Sequence, residues 1–509
     1  MDHHTITLLP SGSQQSFPSE MFLTEALLDM GIALKTPCGG KGICNKCKVI
    51  VEGESAAVLA CRTRITRDLT VHAEQREIDR DIHIPHVRPD DHISVAVDIG
   101  TTSVRISLVD TSRKASFEIA SFLNPQQRFG HDVISRIAAG RDPSKLQSLQ
   151  NLIRKAINIR LDNVLNAIEL PAGMIEEIVF SGNTTMLYLL FGLEVEPLGR
   201  YPYTILTKDF KGILAEEIGL DCIGSARVLS LPVLSAFIGA DLVGGLTLCH
   251  DLGITRNAFF IDLGTNGELF LLDGKGDPYT TSCAMGPALE GMNITWGMTA
   301  DTGAITHIYA EKGGLRYHMI GQGKPVGITG TALVDLIAIL LDNGIIAPHG
   351  AFSHNVEKYN LLNPLSLNHN GESKRLKLWG DIRLTQKDIR NVQLAKAASL
   401  SAARFLLEAA EFDPGDVEHV FIAGAFGENL DLNYFSRLGF IPYFPNATYE
   451  FLGNTSLKAA QKACIDPDFL KRAVTLRDKT KEVVLSALPR FQDVFIQSLD
   501  FPASKNGPD

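Results

Sequence analysis

The sequence repeats one strand–turn–strand motif, and this repeat constrains the fold more than any other feature. AVDIGTTSVRISLVD at 96–110 resembles FIDLGTNGELFLLD at 260–273, and each copy places Asp-x-Gly-Thr between two apolar strands. IVFSGN at 178–183 and VFIAGA at 420–425 form a second related pair, each preceded by a helix-like segment. Two similar halves of alternating strands and helices predict two α/β lobes that face each other across a cleft.

The tips of the two hairpins have the chemistry of a phosphate site. A glycine at such a tip lets the backbone approach a phosphate, while threonine hydroxyls and backbone N–H groups donate to it. Asp98 and Asp262 would then face each other, and paired carboxylates can hold Mg²⁺ through water and position an attacking nucleophile. One such motif also suits an ordinary β-turn, but two in matching contexts are more specific. The predicted nucleotide-binding residues of the hairpins are Gly100, Thr101, Thr102, Gly264, Thr265, Asn266 and Gly267.

Two further segments follow strands and extend the predicted nucleotide site. Small residues at 424–427 (Gly-Ala-Phe-Gly) can admit a flat adenine–ribose unit, although tight packing explains them equally well. The polar helix start at 181–185 is able to bind phosphate. The glycine-containing runs at 130–136 and 285–291 lie beside the presumed cleft or are simply loops. We include Glu290, from the second run, with Asp98 and Asp262 as predicted catalytic residues. The remaining predicted nucleotide contacts are Asn183, Thr184, Gly424, Ala425 and Gly427.

Four of the eight cysteines cluster near the start of the chain. Cys38, Cys44, Cys47 and Cys61 follow the spacing Cys-x5-Cys-x2-Cys-x13-Cys, and thiolates select iron–sulfur clusters or zinc. Glycines at 39, 40 and 42 let the backbone wrap closely and direct N–H groups at sulfur, which favours a 2Fe–2S cluster. The alternative is a four-cysteine zinc site, which usually pairs two Cys-x-x-Cys units. The lysines at 41, 46 and 48 form either a solvated face or a docking patch.

The residues around these cysteines predict a small β-grasp domain at 1–80. We expect a strand at 5–9, a helix over about 20–30 capped by Ser19, a hairpin of 47–51 with 57–60, and a closing strand at 69–73. A charged, proline-containing linker at 81–93 follows, and flexibility there would let the domain move. The first lobe is then expected at 94–249 and the second at 250–509.

Composition excludes several classes of function. The chain of 509 residues has a formal net charge of −10, so we expect no nucleic-acid binding. It has neither a secretion signal nor an apolar run of about 18 residues, so we expect no membrane span and a cytoplasmic location. The other four cysteines are scattered, as expected of buried free thiols in a reducing compartment; they are Cys222, Cys249, Cys283 and Cys464.

The hairpins, the Gly-Ala-Phe-Gly turn and the cysteine loop together support a specific resemblance. The two-lobed part resembles the actin, sugar-kinase and acetate-kinase superfamily. With the cysteine loop in front, the chain resembles the reductive activators of corrinoid proteins. The matching segments span nearly all of 94–464 and are NPQQRFGHDVISRI, FSGNTTM, FIDLGTNGE, GPALEGMNI, LTQKDIRNVQLAKAA and AGAFGENLD.

The resemblance implies a multidomain α+β and α/β protein. Its N-terminal β-grasp ferredoxin-like domain would hold a 2Fe–2S cluster, followed by a two-lobed ATPase domain of the duplicated ribonuclease H-like type. ATP and Mg²⁺ would assist electron transfer from a low-potential donor, through the cluster, to the Co(II) corrinoid of a methyltransferase corrinoid protein, giving Co(I). A homodimer is a further expectation. Two other interpretations stay open: a cluster-regulated small-molecule kinase, and a non-catalytic docking module gated by nucleotide.

Overall fold

The residues that the structure describes form one small N-terminal sheet and two six-stranded sheets, with two three-stranded sheets added to the second. The computed structural model describes residues 2–32, 34–73, 92–311, 314–353, 367–370, 373–424 and 430–503. Most of the predicted linker at 81–93 lies outside these residues, and its last position, Ile93, begins a strand. Among the described helices, none is both long and apolar enough to span a membrane.

The N-terminal residues form a five-stranded mixed sheet with one helix packed on it. The strand order is β2-β1-β5-β3-β4, with β1 parallel to β5 and the other pairs antiparallel. Leu23, Ala26 and Leu27 of the helix are buried in the domain core, which confirms the predicted β-grasp architecture. The elements are β1 (His3–Leu9), β2 (Gln14–Pro18), α1 (Leu23–Asp29), β3 (Lys48–Val51), β4 (Val58–Leu59) and β5 (Leu69–His72).

The prediction that Ser19 caps this helix was wrong. The helix begins at Leu23, and Phe22, in extended backbone, precedes it without a side-chain cap. Ser19 instead donates its N–H to the carbonyl of Asp2, and Glu20 then turns through a left-handed conformation with φ 69°. The chain is therefore still leaving the edge strand at the position where the sequence suggested a cap.

The first lobe is a six-stranded sheet in the order β10-β11-β9-β6-β7-β8, covered by helices. Its core runs from the apolar strands into one face of a long helix, where Leu149, Ile153, Ile157 and Leu161 are buried. The elements are β6 (Ile93–Ile99), β7 (Ser103–Asp110), β8 (Ala115–Leu123), α2 (Val133–Ala139), α3 (Pro143–Ala167), β9 (Ile175–Gly182), α4 (Thr184–Phe191), β10 (Lys211–Leu214), β11 (Arg227–Ser230) and α5 (Ala240–Asp251).

The second lobe repeats this plan around the sheet β22-β21-β12-β13-β14-β23, with additional sheets β16-β15-β17 and β18-β19-β20. Its elements are β12 (Ala258–Leu263), β13 (Asn266–Leu272), β14 (Pro278–Ala284), β15 (Ala304–Glu311), β16 (Gly314–Met319), β17 (Gly327–Ile328), α6 (Gly330–Asp342), β18 (Leu367–Asn370), β19 (Ser373–Lys377), β20 (Arg383–Thr385), α7 (Gln386–Ala409), β21 (His419–Ala423), α8 (Leu432–Leu438), β22 (Thr448–Gly453), α9 (Thr455–Ile465), α10 (Phe469–Lys479), β23 (Lys481–Glu482) and α11 (Phe491–Gln497).

The strand orders confirm the internal repeat and reveal an exchange of helices between the lobes. The run β11-β9-β6-β7-β8 corresponds to β22-β21-β12-β13-β14, with the same parallel and antiparallel pairings. Helix α5 ends the first repeat but buries Leu242 and Leu246 in a core shared with the second sheet. Helix α9 ends the second repeat but packs on the first. A Cβ on Gly244 of α5 would lie 2.7 Å from the Cβ of Ala459, so the close helix contact needs glycine there.

Candidate functional site

The tips of the two repeated hairpins meet between the lobes. The Gly100–Thr102 tip joins β6 to β7, and the Gly264–Thr265 tip joins β12 to β13. The hydroxyl oxygens of Thr102 and Thr265 lie 2.7 Å apart, and both side chains are buried. The structure therefore brings together the two motifs that the sequence analysis placed across a cleft.

Glu290 joins the two hairpins. Its Oε2 accepts hydrogen bonds from the hydroxyls of Thr102 and Thr265, both at 2.6 Å. Burial raises the pKa of Glu290, while the two hydroxyl donors oppose that rise. Glu290 is thus placed where hydroxyls from both lobes converge, a geometry that also suits a phosphate oxygen.

Asp98 lies beneath the first hairpin and is held by the start of α9. Its two carboxylate oxygens accept from Asn454 Nδ2 and Ser456 Oγ, each at 2.7 Å. The Ser456 hydroxyl oxygen also lies 2.8 Å from the Ser181 hydroxyl at the end of β9 and can accept from it. Burial raises the pKa of Asp98 despite these donors. The two donors and the charge of Arg105 oppose this rise and so favour the carboxylate form that a cation would bind.

Asp262 occupies the equivalent position in the second lobe. Burial, followed by repulsion from Asp241 and Asp98, raises its pKa to about 8, while the Thr455 hydroxyl opposes the rise. Asp98 lies close enough for its charge to raise the pKa of Asp262, so the two aspartates expected to face one another are near each other in the structure.

Two acidic residues that the sequence analysis missed complete this site. Asp241 lies in the first turn of α5, and burial together with Asp98 raises its pKa to about 7. Glu268 pairs in register with Asp262, and burial raises its pKa well above the ordinary value. Extending the repeat to the helix starts could have found Asp241, because α5 corresponds to α9, whose start holds Asp98.

Five carboxyl groups interact here, with Glu268 buried and the other four half-buried, and they need positive charge if they are to ionise together. Oxygen donors of this kind are the ligands that Mg²⁺ takes in nucleotide sites, usually with retained water. The residues therefore fit a hydrated Mg²⁺ beside the phosphates of a nucleotide, with a carboxylate available to position an attacking water. The group comprises Asp98, Asp241, Asp262, Glu268 and Glu290.

A fully buried arginine supports the first hairpin from behind. Arg136 of α2 donates through Nη2 to the carbonyl of Thr101 at 2.5 Å and through Nε to that of Gly130 at 3.0 Å. Burial lowers its pKa to about 9, and the nearby carboxylates of Asp132 and Glu290 favour its charge. The sequence analysis placed the 130–136 run beside the cleft without assigning this role.

The other predicted nucleotide contacts divide into three groups. Asn183 caps α4 and donates to the Thr101 hydroxyl at 2.9 Å, so it supports the hairpin directly. Thr184 donates instead to the carbonyl of Ser235 at 2.6 Å. Ala425 and Gly427 lie outside the described residues.

The remaining predicted glycines and asparagine shape the backbone of the hairpins. Gly424 has φ +105°, and a Cβ there would lie 2.5 Å from the carbonyl oxygen of Leu263, so the strand ends can meet closely only with glycine. Gly100 and Gly267 are similarly crowded, with added Cβ atoms 2.6 Å from Ser103 O and 2.5 Å from Met285 Sδ. Gly264 donates its N–H to the carbonyl of Asn266 at 3.1 Å, closing the turn.

The four clustered cysteines converge in the N-terminal domain as two pairs of buried thiols. The Sγ atoms of Cys38 and Cys44 lie 3.2 Å apart, and the Cys61 thiol hydrogen-bonds to Cys47. A two-iron cluster takes two thiolates on each iron, so this donor set fits a 2Fe–2S cluster. The intervening glycines at 39, 40 and 42 all have positive φ, between 61° and 79°.

The loop also supplies hydrogen-bond donors to sulfur. A hydrogen bond from the Cys44 thiol, with backbone N–H groups of Gly42, Ile43 and Cys44, lowers the pKa of Cys38 to about 5. Of these donors, the backbone N–H groups remain when all four cysteines are thiolates on iron, so they can tune the potential of a bound cluster. By contrast, burial raises the pKa values of the scattered cysteines, all of which are free. Cys249, Cys283 and Cys464 are buried, as predicted, and Cys222 is half-buried.

Fold and site together define an iron–sulfur protein with a two-lobed, ASKHA-type ATPase domain. Family models agree: a 2Fe-2S iron-sulfur cluster binding domain matches residues 6–66, the RACo middle region matches 93–251, and the C-terminal domain of RACo, the ASKHA domain, matches 256–508. The chain belongs to the family of reductive activators of corrinoid proteins.

Relatives and a solved structure extend this similarity over the full chain. The corrinoid activation enzyme RamQ of Eubacterium limosum is 28% identical, over 95% of this chain and 96% of the relative. The [Co(II) methylated amine-specific corrinoid protein] reductase of Methanosarcina barkeri is 24% identical, over 80% of this chain and 76% of the relative. A solved reductive activator for corrinoid, iron-sulfur protein superimposes with TM-score 0.75 and 25% identity, covering 98% of both chains.

Proposed function

We propose that this chain is an ATP-dependent reductive activator of a corrinoid protein. In this reaction one electron converts the inactive Co(II) corrinoid to Co(I), and ATP with water gives ADP and inorganic phosphate. A 2Fe–2S cluster bound by Cys38, Cys44, Cys47 and Cys61 supplies the one-electron chemistry. The full-length similarity to corrinoid activators and the cluster-binding fold support this proposal.

The observation that carries it is the direct contact between the cysteine loop and the ATPase lobe. Lys41, between the first two cysteines, hydrogen-bonds to the carbonyl of Gly291, and the preceding residue, Glu290, contacts both hairpins. The residue that contacts the cysteine loop and a residue of the proposed nucleotide site are therefore neighbours in the sequence. This proximity supports a protein in which nucleotide chemistry acts on electron transfer.

The need for ATP follows from the electrochemistry of the two partners. Plant-type clusters lie near −400 mV, and each 59 mV of uphill one-electron transfer costs a factor of ten, about 1.4 kcal/mol. Nucleotide binding can offset such steps if it favours one docked state of the acceptor over another. We propose that Asp98 and Asp262 hold Mg²⁺ through water and that Asp241 positions the attacking water.

Several finer features remain predictions. We expect a low-potential electron donor, a methyltransferase corrinoid protein as acceptor, a homodimer and a cytoplasmic location. We propose that the first lobe spans 94–249 and the second 250–509. Helix α9 is an exception, because it lies in the second range but packs in the hydrophobic core of the first lobe.

Anaerobic mixing of the cluster-loaded protein with candidate Co(II) corrinoid proteins tests the function. We expect Co(I) absorbance to appear with a low-potential reductant and Mg-ATP, and free phosphate to increase when the corrinoid protein is present. Labelled ATP distinguishes the other interpretations: transfer of label to a small molecule indicates a kinase, and tight binding without turnover indicates a docking module. Absence of Co(I) with every candidate would contradict the proposal.

A further inference from the structure

The cysteine loop of the N-terminal domain is packed against the second lobe. Cys38 and Cys44 share a small apolar cluster with Met298 and Ala304 of that lobe. At the edge of this cluster the N–H of Thr299 donates to the carbonyl of Pro37 at 2.9 Å. One side of the cysteine loop, which is proposed to bind the iron–sulfur cluster, is therefore covered by the second lobe of the ATPase domain.

One lysine fastens this contact. Lys41 Nζ donates to the carbonyls of Gly291 at 2.9 Å and Gly297 at 2.7 Å. Burial lowers the pKa of Lys41 to about 8, and the two carbonyl acceptors replace the water that the ammonium group loses. Lys46 adds a weaker contact, 3.6 Å from Asp301, whereas Lys48 in the same domain is exposed. Lys41 and Lys46 therefore contact the second lobe, whereas Lys48 faces solvent.

The segment that receives Lys41 also reaches the nucleotide site. Glu290 immediately precedes Gly291, and its carboxylate accepts hydrogen bonds from Thr102 and Thr265 at the hairpin tips. The segment is tightly closed, because a Cβ on Gly297 would lie 2.1 Å from the carbonyl oxygen of Gly291. Because the segment is tightly packed, we expect a displacement of Glu290 to move the carbonyls of Gly291 and Gly297, which accept hydrogen bonds from Lys41.

We propose that Glu290, Gly291 and Lys41 form a latch that keeps the cluster-binding loop docked until nucleotide phosphate takes the place of the Glu290 carboxylate between Thr102 and Thr265. The proposal rests on the assignment of the cleft as a nucleotide site. It adds a release step: phosphate entry shifts Gly291, weakens the hold on Lys41 and uncovers the loop.

Charge and geometry favour this exchange. A nucleotide phosphate carries more negative charge than a carboxylate and takes the same hydroxyl donors, so the two groups compete for one position and repel each other. In the docked arrangement, the side of the loop formed by Cys38 and Cys44 is covered by Met298 and Ala304. Electron exit from that side would thus depend on nucleotide.

Hydrogen exchange of the cluster-loaded protein tests the latch through one amide. The Thr299 N–H is protected by Pro37 only while the loop is docked. We expect a non-hydrolysable ATP analogue with Mg²⁺ to speed exchange in the peptide that contains Thr299 by about ten-fold or more. Lys41→Met should produce the same increase without nucleotide, with an unchanged visible spectrum as the check on folding.

Two further variants serve as controls. Lys48→Met removes a lysine from the same domain that faces solvent, so Thr299 exchange should match that of the unaltered protein. Glu290→Gln should bind the analogue, measured with labelled compound, but show a smaller change in Thr299 exchange, because a neutral amide is not repelled by phosphate. Unchanged Thr299 exchange with bound analogue, or in Lys41→Met, would overturn the latch.

The exchange measurement uses no corrinoid, so it separates the two proposals. Nucleotide-dependent exposure of Thr299 without any Co(I) formation would support the latch and contradict the activator function. Co(I) formation with unchanged protection of the Thr299 amide would support the activator function and contradict the latch. If the labelled analogue does not bind, both proposals fail.

Discussion

Thr102 and Thr265 come from hairpins in different lobes, yet their hydroxyl oxygens lie 2.7 Å apart. The two hydroxyls converge on one oxygen of Glu290, so three side chains from distant parts of the sequence share one small site. We expect a nucleotide phosphate that enters between them to contact both lobes at once.

Replacing Asp262 should stop ATP turnover without disturbing the redox domain. In Asp262→Asn the carboxylate proposed to hold Mg²⁺ is lost, and we expect kcat for ATP hydrolysis to fall by about 100-fold or more. Reduction of the cluster by dithionite should be unchanged, because the cysteine loop lies elsewhere. Phosphate release and visible absorbance measure the two activities.

The matched control for this change is Asp162→Asn, an identical substitution on the exposed surface of α3. It should leave both activities as they are in the unaltered protein. ATPase activity retained in Asp262→Asn would count against the cleft assignment.

Asp241 should govern the pH dependence of ATP hydrolysis. Burial and Asp98 raise its pKa to about 7, so the charged form able to orient water increases as pH rises through that value. We expect Asp241→Asn to lower kcat with little change in KM for ATP and to flatten the pH profile near neutrality. A variant that keeps the original profile would show that another group titrates.

The sequence predicted the parts of this molecule that depend on local pattern. The hairpins around Asp98 and Asp262 were found because a repeated motif fixes both the turn and the flanking strands. The cysteine spacing similarly indicated the ferredoxin-type domain. In each case the chemistry is carried by residues within a short segment.

Residues whose role arises from packing between distant segments were not found. Arg136 reaches the carbonyl of Thr101 only because α2 folds against the first hairpin. The sequence favoured a solvated face over a docking patch for Lys41, but the structure places its ammonium group between two carbonyls of the second lobe. Neither contact produces a periodic pattern in the sequence, because each depends on how distant segments of the chain pack together.

Loss of one cluster ligand should remove the iron–sulfur chromophore alone. In Cys44→Ser the hydroxyl is a poor substitute for a thiolate on iron, so we expect loss of visible absorption and acid-labile sulfide. Nucleotide binding should persist because the hairpins do not contact Cys44. Iron, zinc and sulfide analysis of the anaerobically purified protein measures the effect.

Cys222→Ser is the control, since Cys222 is a half-buried free thiol of the first lobe. Its iron and sulfide contents should equal those of the unaltered protein. A zinc-loaded protein without labile sulfide would instead support the four-cysteine zinc alternative.

The acidic cleft should make the protein less stable as pH rises when divalent cations are absent. The folded-state pKa values of Asp241 and Asp262, about 7 and about 8, exceed the ordinary value of 3.8 because burial and mutual repulsion disfavour the charged forms. The folded protein therefore holds protons that the unfolded chain releases above about pH 4, and this contribution to stability is lost as pH rises through about 8. We expect the free energy of unfolding to fall by about 4 kcal/mol between about pH 6 and about pH 8.5.

Thermal unfolding with and without Mg²⁺ measures this loss. Added Mg²⁺ should restore much of it at the higher pH, because the cation neutralises the charges that repel each other. The Asp241→Asn, Asp262→Asn double variant should show a flatter dependence, whereas Asp162→Asn should follow the unaltered protein. A midpoint that rises across the same pH range would mean that these carboxyls ionise with ordinary pKa values and do not repel each other in one site.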